Sequence, residues 1–224
     1  MDPALLTLIV ASAAFVGTHF LLSHPLRAPI VKATSEGPFL GLYSLVALAT
    51  LWWMAHTFRA APAPDLPGSG EAGWALASLL TIVALVLLLG SLRGNPAMPD
   101  PTLQPKIPAE LRGVFAVTRH PMMWGIALWA VSHLILLWSW RTTIVATAIL
   151  LLALLGAHLQ DRKKERLLGE RWTGWAAKTS YWPHWSRLGG AGWKLWLGAL
   201  ALWLMVTFAH MPIGGIPAGL WRWF

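Results

Sequence analysis

Cysteine is absent from the 224 residues. That absence excludes disulfides, thiolate nucleophiles, iron–sulfur ligation by Cys, and haem that is thiolate-ligated or covalently attached. Any metal chemistry in this chain therefore rests on His, Met, Tyr or carboxylate. Charge is scarce as well. Asp, Glu, Lys and Arg make up 12% of the chain, about half the share of an ordinary soluble domain. Acids are outnumbered by bases 9 to 17, whereas hydrophobic residues reach 56%. For much of this chain the solvent is lipid.

Six stretches are long enough to cross a bilayer core that needs about twenty helical residues: Leu5–Leu22, Phe39–Phe58, Trp74–Leu92, Met122–Trp138, Thr142–Leu159 and Trp193–Met211. The first has neither a basic stretch before it nor a small-residue cleavage site after it, so it reads as a retained span. The expected fold is all-α: a single domain over 1–224, built as an integral membrane bundle of about six transmembrane helices. Of the 17 Lys and Arg, 14 fall on one face, leaving Arg59, Arg141 and Arg222 opposite. Basic loops stay on the cytoplasmic side, so both termini are expected on the non-cytoplasmic side. The net charge of +8 is what this partition already demands and does not imply nucleic acid.

No domain boundary is visible. The outer loop "RAAPAPDLPGSGEAG" reads as a connector. The cytoplasmic loop 93–118, broken by five prolines, reads as either a linker or a lid over the inner helix ends. After the fifth span, "LQDRKKERLLGERWTGWAAKTSYWPHW" places Leu167, Leu168, Trp172, Trp175 and Ala176 at helical spacing among bases. That is the pattern of an amphipathic helix lying on the membrane surface. Tryptophans near span ends, such as Trp74, Trp138 and Trp193, read as interfacial anchors.

The candidate chemistry lies in the histidines. His133 sits in "MMWGIALWAVSHLILLW" with no charged residue in the same run, and an ionisable group that deep in an apolar segment is a functional candidate. At 100° per residue it shares a face with Met122, Ile126, Trp129 and Ala130, a mixture suited to a pocket wall. His19 lies toward the inner end of the first span, with Phe15, Ser12 and Ser23 on its side. His56, His158 and His210 are helix-end residues that rank second. His120 precedes Pro121, which fits the first helical position; with Arg119 beside it, the helix start suits an anion, whether phosphate, carboxylate or a haem propionate. Thirteen residues set His120 and His133 on nearly opposite faces.

Six ordered segments, "GTHFLLSHPLR", "MAHTFR", "TRHPMMWGIALWAVSHL", "GAHLQDRKKERLLGERW", "KTSYWP" and "FAHMP", resemble the NnrU family. Their motifs are also similar to 15-cis-zeta-carotene isomerase. The resemblance implies haem b held through His19 and His133, which would serve as both metal ligands and catalytic residues. His120, Arg119 and Trp129 would complete the cofactor site. It further implies a bacterial inner membrane, a hydrophobic small-molecule substrate, an unidentified redox partner, and redox-dependent cis–trans isomerisation of a polyene. Association with nitric-oxide and nitrite metabolism, as a non-enzymatic haem subunit, stays open beside it. By depth along the helices, His19 pairs more easily with His120 than with His133.

A rival resemblance joins Arg119-His120-Pro121 to Glu165, Glu170 and Arg171. Isoprenylcysteine carboxyl methyltransferases look similar there, and in that case Arg119, His120 and Glu165 would hold S-adenosylmethionine. That alternative gives His19 no role.

Overall fold

Two of the long helices begin at a side-chain cap, Asp2 for the first and Ser139 for the one that starts at Trp140. A computed structural model describes residues 2–63, 66, 68–100, 107–108 and 110–224. In it α1 spans Pro3–Ser23, with Asp2 as N-cap accepting from the Ala4 amide at 2.7 Å and proline in the first turn, where the missing N–H costs nothing. A short α2 (Arg27–Thr34) leads into α3 (Glu36–Ala60), and α4 covers Gly70–Gly90. One buried turn, α5 (Val114–Val117), precedes α6 (Pro121–Leu136). α7 is the longest, Trp140–Leu168. α8 (Glu170–Lys178) follows, and α9 spans Trp193–Gly214. No strand occurs among the described residues.

Five helices, α1, α3, α4, α7 and α9, are long and apolar enough to cross a membrane. α6 is apolar but has 16 residues, about 24 Å at 1.5 Å per residue against a hydrocarbon core of about 30 Å. α6 begins one residue before the expected span Met122–Trp138 and ends two residues before its end. Its C-terminal end is set by Ser139, whose hydroxyl accepts from the Thr142 amide at 3.3 Å and starts α7.

At its other end α7 runs on through Gln160–Leu168, nine residues beyond the apolar run, because these are mostly good helix formers. Gly169, at φ 55°, then breaks the helix. The expected amphipathic segment is therefore divided between the tail of α7 and α8. α8 is amphipathic, but Trp172 and Trp175 are only 2% exposed. They pack with Leu87, Val114 and Phe115, so protein rather than lipid covers that face.

The principal packing follows the order α3–α1–α7–α6–α4–α9. α6 sits directly on α4 because Gly125 has no side chain: a Cβ there would come within 2.7 Å of the Ala84 carbonyl oxygen. Small residues permit such close backbone approach in lipid, where helices gain no hydrophobic drive to associate. The C-terminal turn Gly219–Arg222 folds back on α9 and α4. It is held by Arg222 on Glu71 at 2.6 Å and by Trp223 Nε1–H donating to the same carboxylate at 2.9 Å.

The lid expected over 93–118 lies partly outside the described residues, at 101–106 and 109. The described start of that loop is anchored to α7: Gln160 donates to the Ala97 carbonyl at 2.7 Å and Lys164 to the Met98 carbonyl at 2.8 Å.

Candidate functional site

The helices surround a cavity of about 580 Å³, within the ~300–1,000 Å³ usual for small-molecule and cofactor sites. Its walls come from α1, α3, α4, α6, α7, α9 and the C-terminal turn, and they are overwhelmingly apolar. His19, His24, His133 and His210 line it, and Lys163 is the one Lys, Arg, Asp or Glu among the described lining residues. Trp129, expected beside His133, also lines the cavity, its ring centroid 4.1 Å from the imidazole. Gly156 lines it too, and a Cβ at that position would meet open space.

Three of these histidines share one local geometry. His19 Nδ1 lies 2.7 Å from the Phe15 carbonyl oxygen, His133 Nδ1 lies 2.8 Å from that of Trp129, and His210 Nδ1 lies 2.7 Å from that of Val206. A carbonyl only accepts, so Nδ1 carries the proton in each ring. Each bond reaches back four residues along its own helix, fixing both tautomer and ring orientation. Nε2 is left as the lone-pair nitrogen, with no hydrogen-bond partner among the described residues. That is the arrangement of a metal-ligating histidine, whose other nitrogen donates to a backbone carbonyl. His24 differs. Its Nε2–H donates to the Leu159 carbonyl at 3.3 Å and its Nδ1 accepts from Ser23 at 2.7 Å, so both nitrogens are satisfied.

Contacts between helices set the depths of the three. His24 on Leu159 registers α1 with α7, and His120 on Asp161 registers α6 with α7. His19 stands five residues above the first mark, about 7.5 Å, and His133 thirteen above the second, about 19.5 Å. The Leu159 and Asp161 marks stand two residues apart on α7, so about 9 Å of helix axis separates His19 from His133. On the other side, Gly125 abuts Ala84, and Trp203 Nε1–H donates to Thr81 Oγ1 at 2.9 Å. Counted on α4 from those marks, His133 and His210 fall about 3 Å apart in depth. Both rings line the same cavity.

Arg119 and His120 are elsewhere. Neither is among the cavity-lining residues. Arg119 grips Asp161 with Nε and Nη2, and His120 Nε2–H donates to the same carboxylate at 2.8 Å. The anion expected at the start of α6 is thus supplied by the chain itself, 41 residues on. His120 is 1% exposed, and its Nδ1 is buried without a hydrogen-bond partner among the described residues. Around it, Thr118 Oγ1–H donates to the Tyr181 carbonyl at 2.8 Å, the Arg119 amide to Ser180 at 2.8 Å, and Trp124 Nε1–H to Tyr181 at 2.9 Å. The segments "TRHP" and "KTSYWP" are two halves of one strap.

The family model described as NnrU protein matches residues 7–218. The chain belongs to the NnrU family. No curated protein matches it, and no solved structure does.

In this NnrU chain the structure brings His19, His133 and Trp129 to one cavity and sets Arg119 and His120 outside it. Sequence reasoning placed His210 in the second rank and did not single out Lys163 or Tyr43, both of which line the cavity. For His210 a signal existed: it falls seven residues after Trp203 on one helical face. His56 and His158 are exposed on their helices, and His158, expected at a helix end, lies ten residues inside α7.

Proposed function

We propose that this protein binds haem b in the cavity between the helices, where His133 would hold the iron through Nε2. The supporting observation is that three imidazoles, each locked by its own helix with Nε2 bare, point into one apolar space. Among the described residues no group of three or more His, Cys, Asp or Glu is gathered as for a bare metal ion, and haem needs only one or two protein ligands. The residues fit the group: imidazole nitrogen for iron, apolar and aromatic walls for the macrocycle, Trp129 beside the ligand ring, and Lys163 as a cation within the lining. When bound, haem supplies a one-electron redox couple and Lewis acidity.

What the chain itself does follows from its walls. The apolar lining excludes water and accepts a hydrophobic molecule, and the bonded Nδ1–H groups keep the imidazoles oriented. His19, which the family resemblance pairs with His133 on iron, enters the cavity from the charged-loop end, next to Tyr43 at 5.5 Å between ring centroids. The reaction that best suits such a site is redox-dependent cis–trans isomerisation of an apolar polyene. The protein lies in the bacterial inner membrane with both termini on the non-cytoplasmic side, and its redox partner comes from outside the chain. The methyltransferase alternative draws no support here, because Arg119 and His120 are engaged by Asp161.

The test is an optical spectrum of the detergent-purified protein, oxidised and then reduced with dithionite, before and after adding hemin. A Soret band and a haem b pyridine haemochrome are expected. A preparation that stays colourless after hemin overturns the proposal. Conversion of a di-cis carotene in light-protected co-expressing cells, lost in His133→Ala, separates the isomerase from a haem subunit with no reaction of its own.

A further inference from the structure

We infer that the second imidazole on the iron is His210 of α9, opposite His133 of α6; this rests on the haem reading above. Opposing ligands drawn from two helices of one bundle come from a common depth unless their axis is strongly tilted. His133 and His210 meet that condition, about 3 Å apart along the helices, whereas His19 stands about 9 Å from His133. α6 and α9 also flank the same helix, α4. Both helices run in the same sense, away from the charged loops, so both rings lean back toward their own N-termini and toward the same level. Each is anchored by the same carbonyl bond, at 2.8 and 2.7 Å.

The C-terminal turn adds an independent indication of a built site at this end. Ile216, Ala218 and Gly219 line the cavity beside His210. Gly219 takes φ 58°, where an added Cβ would strike Trp203 and Thr207. The chain thus closes the cavity around His133 and His210 with a turn that needs glycine. It leaves His19 at the other end, where it is free to contact a bound substrate.

Spectroscopy of haem-loaded wild type, His210→Ala, His210→Met and His19→Ala, with electron paramagnetic resonance, decides the matter. In wild type a six-coordinate low-spin ferric signal is expected. His210→Ala should convert it to high spin with a displaced Soret band, and millimolar imidazole should restore low spin. His210→Met should keep six-coordination with an altered low-spin signal and a raised midpoint potential, which keeps the test valid if the alanine variant folds poorly. His19→Ala should leave the low-spin signal unchanged. Low-spin haem that survives both His210 variants unaltered but is lost in His19→Ala overturns the inference while leaving haem binding intact. A wild type that takes up no hemin overturns the haem reading and the inference together.

Discussion

A histidine in hydrocarbon has to satisfy two nitrogens, and this chain satisfies only one of them in each of three rings. Nδ1–H is bonded to the carbonyl one turn back, so the cost of burying a free donor is avoided. The remaining lone pair is the functional atom. His133 was recognisable from its uncharged surroundings, and Trp129 and Ile126 share its face as the helical period requires. The partner of Arg119 and His120 was not recognisable, because Asp161 is 42 residues from Arg119 and nothing local links them. A single glycine tests whether the space itself matters. Gly156→Leu adds bulk where a Cβ meets nothing within 4 Å and replaces a poor helix former, so thermal stability should hold or rise by up to about 1 kcal/mol. Haem loading, read as the Soret-to-protein absorbance ratio, should fall several-fold. Full loading in that variant would mean that the cavity is not the site.

At the scale of elements, apolar runs located the helices, and a few local residues moved their ends. Ser139 and Gly169 act through backbone geometry that hydropathy does not register, which is why α6 is shorter and α7 longer than their apolar segments. A helical period in "RWTGWAAK" marks an apolar face without saying whether lipid or protein will cover it; Phe115 and Leu87 cover it here. Gly125→Val should wedge α6 from α4, at a cost of about 1–3 kcal/mol for overpacking, measured as a lower unfolding temperature in detergent. An unchanged temperature would show that the two helices are not in close contact.

The junction of α1 with α7 gives a pH dependence. Burial first, then the positive charges of Lys163 and Arg166, hold His24 below its ordinary pKa of 6.5, opposed by its hydrogen bond to Leu159. The unfolded chain therefore binds more protons below about pH 6.5, and stability falls as the pH drops from there toward the folded value. Unfolding temperatures taken from pH 7.5 to 5 should decline, and His24→Gln, which keeps a donor but does not titrate, should flatten the decline. Parallel slopes for the two proteins would remove His24 from the account.

On the scale of the whole molecule, five long apolar helices and one shorter one enclose an apolar cavity, and the family motifs divide between two jobs. "GTH", "SHL" and "FAHMP" bring imidazoles to the cavity. "TRHP" and "KTSYWP" bind each other and fix the end of α6, so these residues support the site without lining it. That division was invisible in one dimension, where the sequence set His120 and Arg119 among the cofactor residues and His210 in the second rank. The most direct measurement is the visible spectrum of the purified, hemin-treated protein compared with His133→Ala. A Soret band with reduced haem b features in the wild type, weakened severalfold or displaced in the variant, is the predicted result. Identical spectra from the two proteins, or no bound haem in either, would contradict the account.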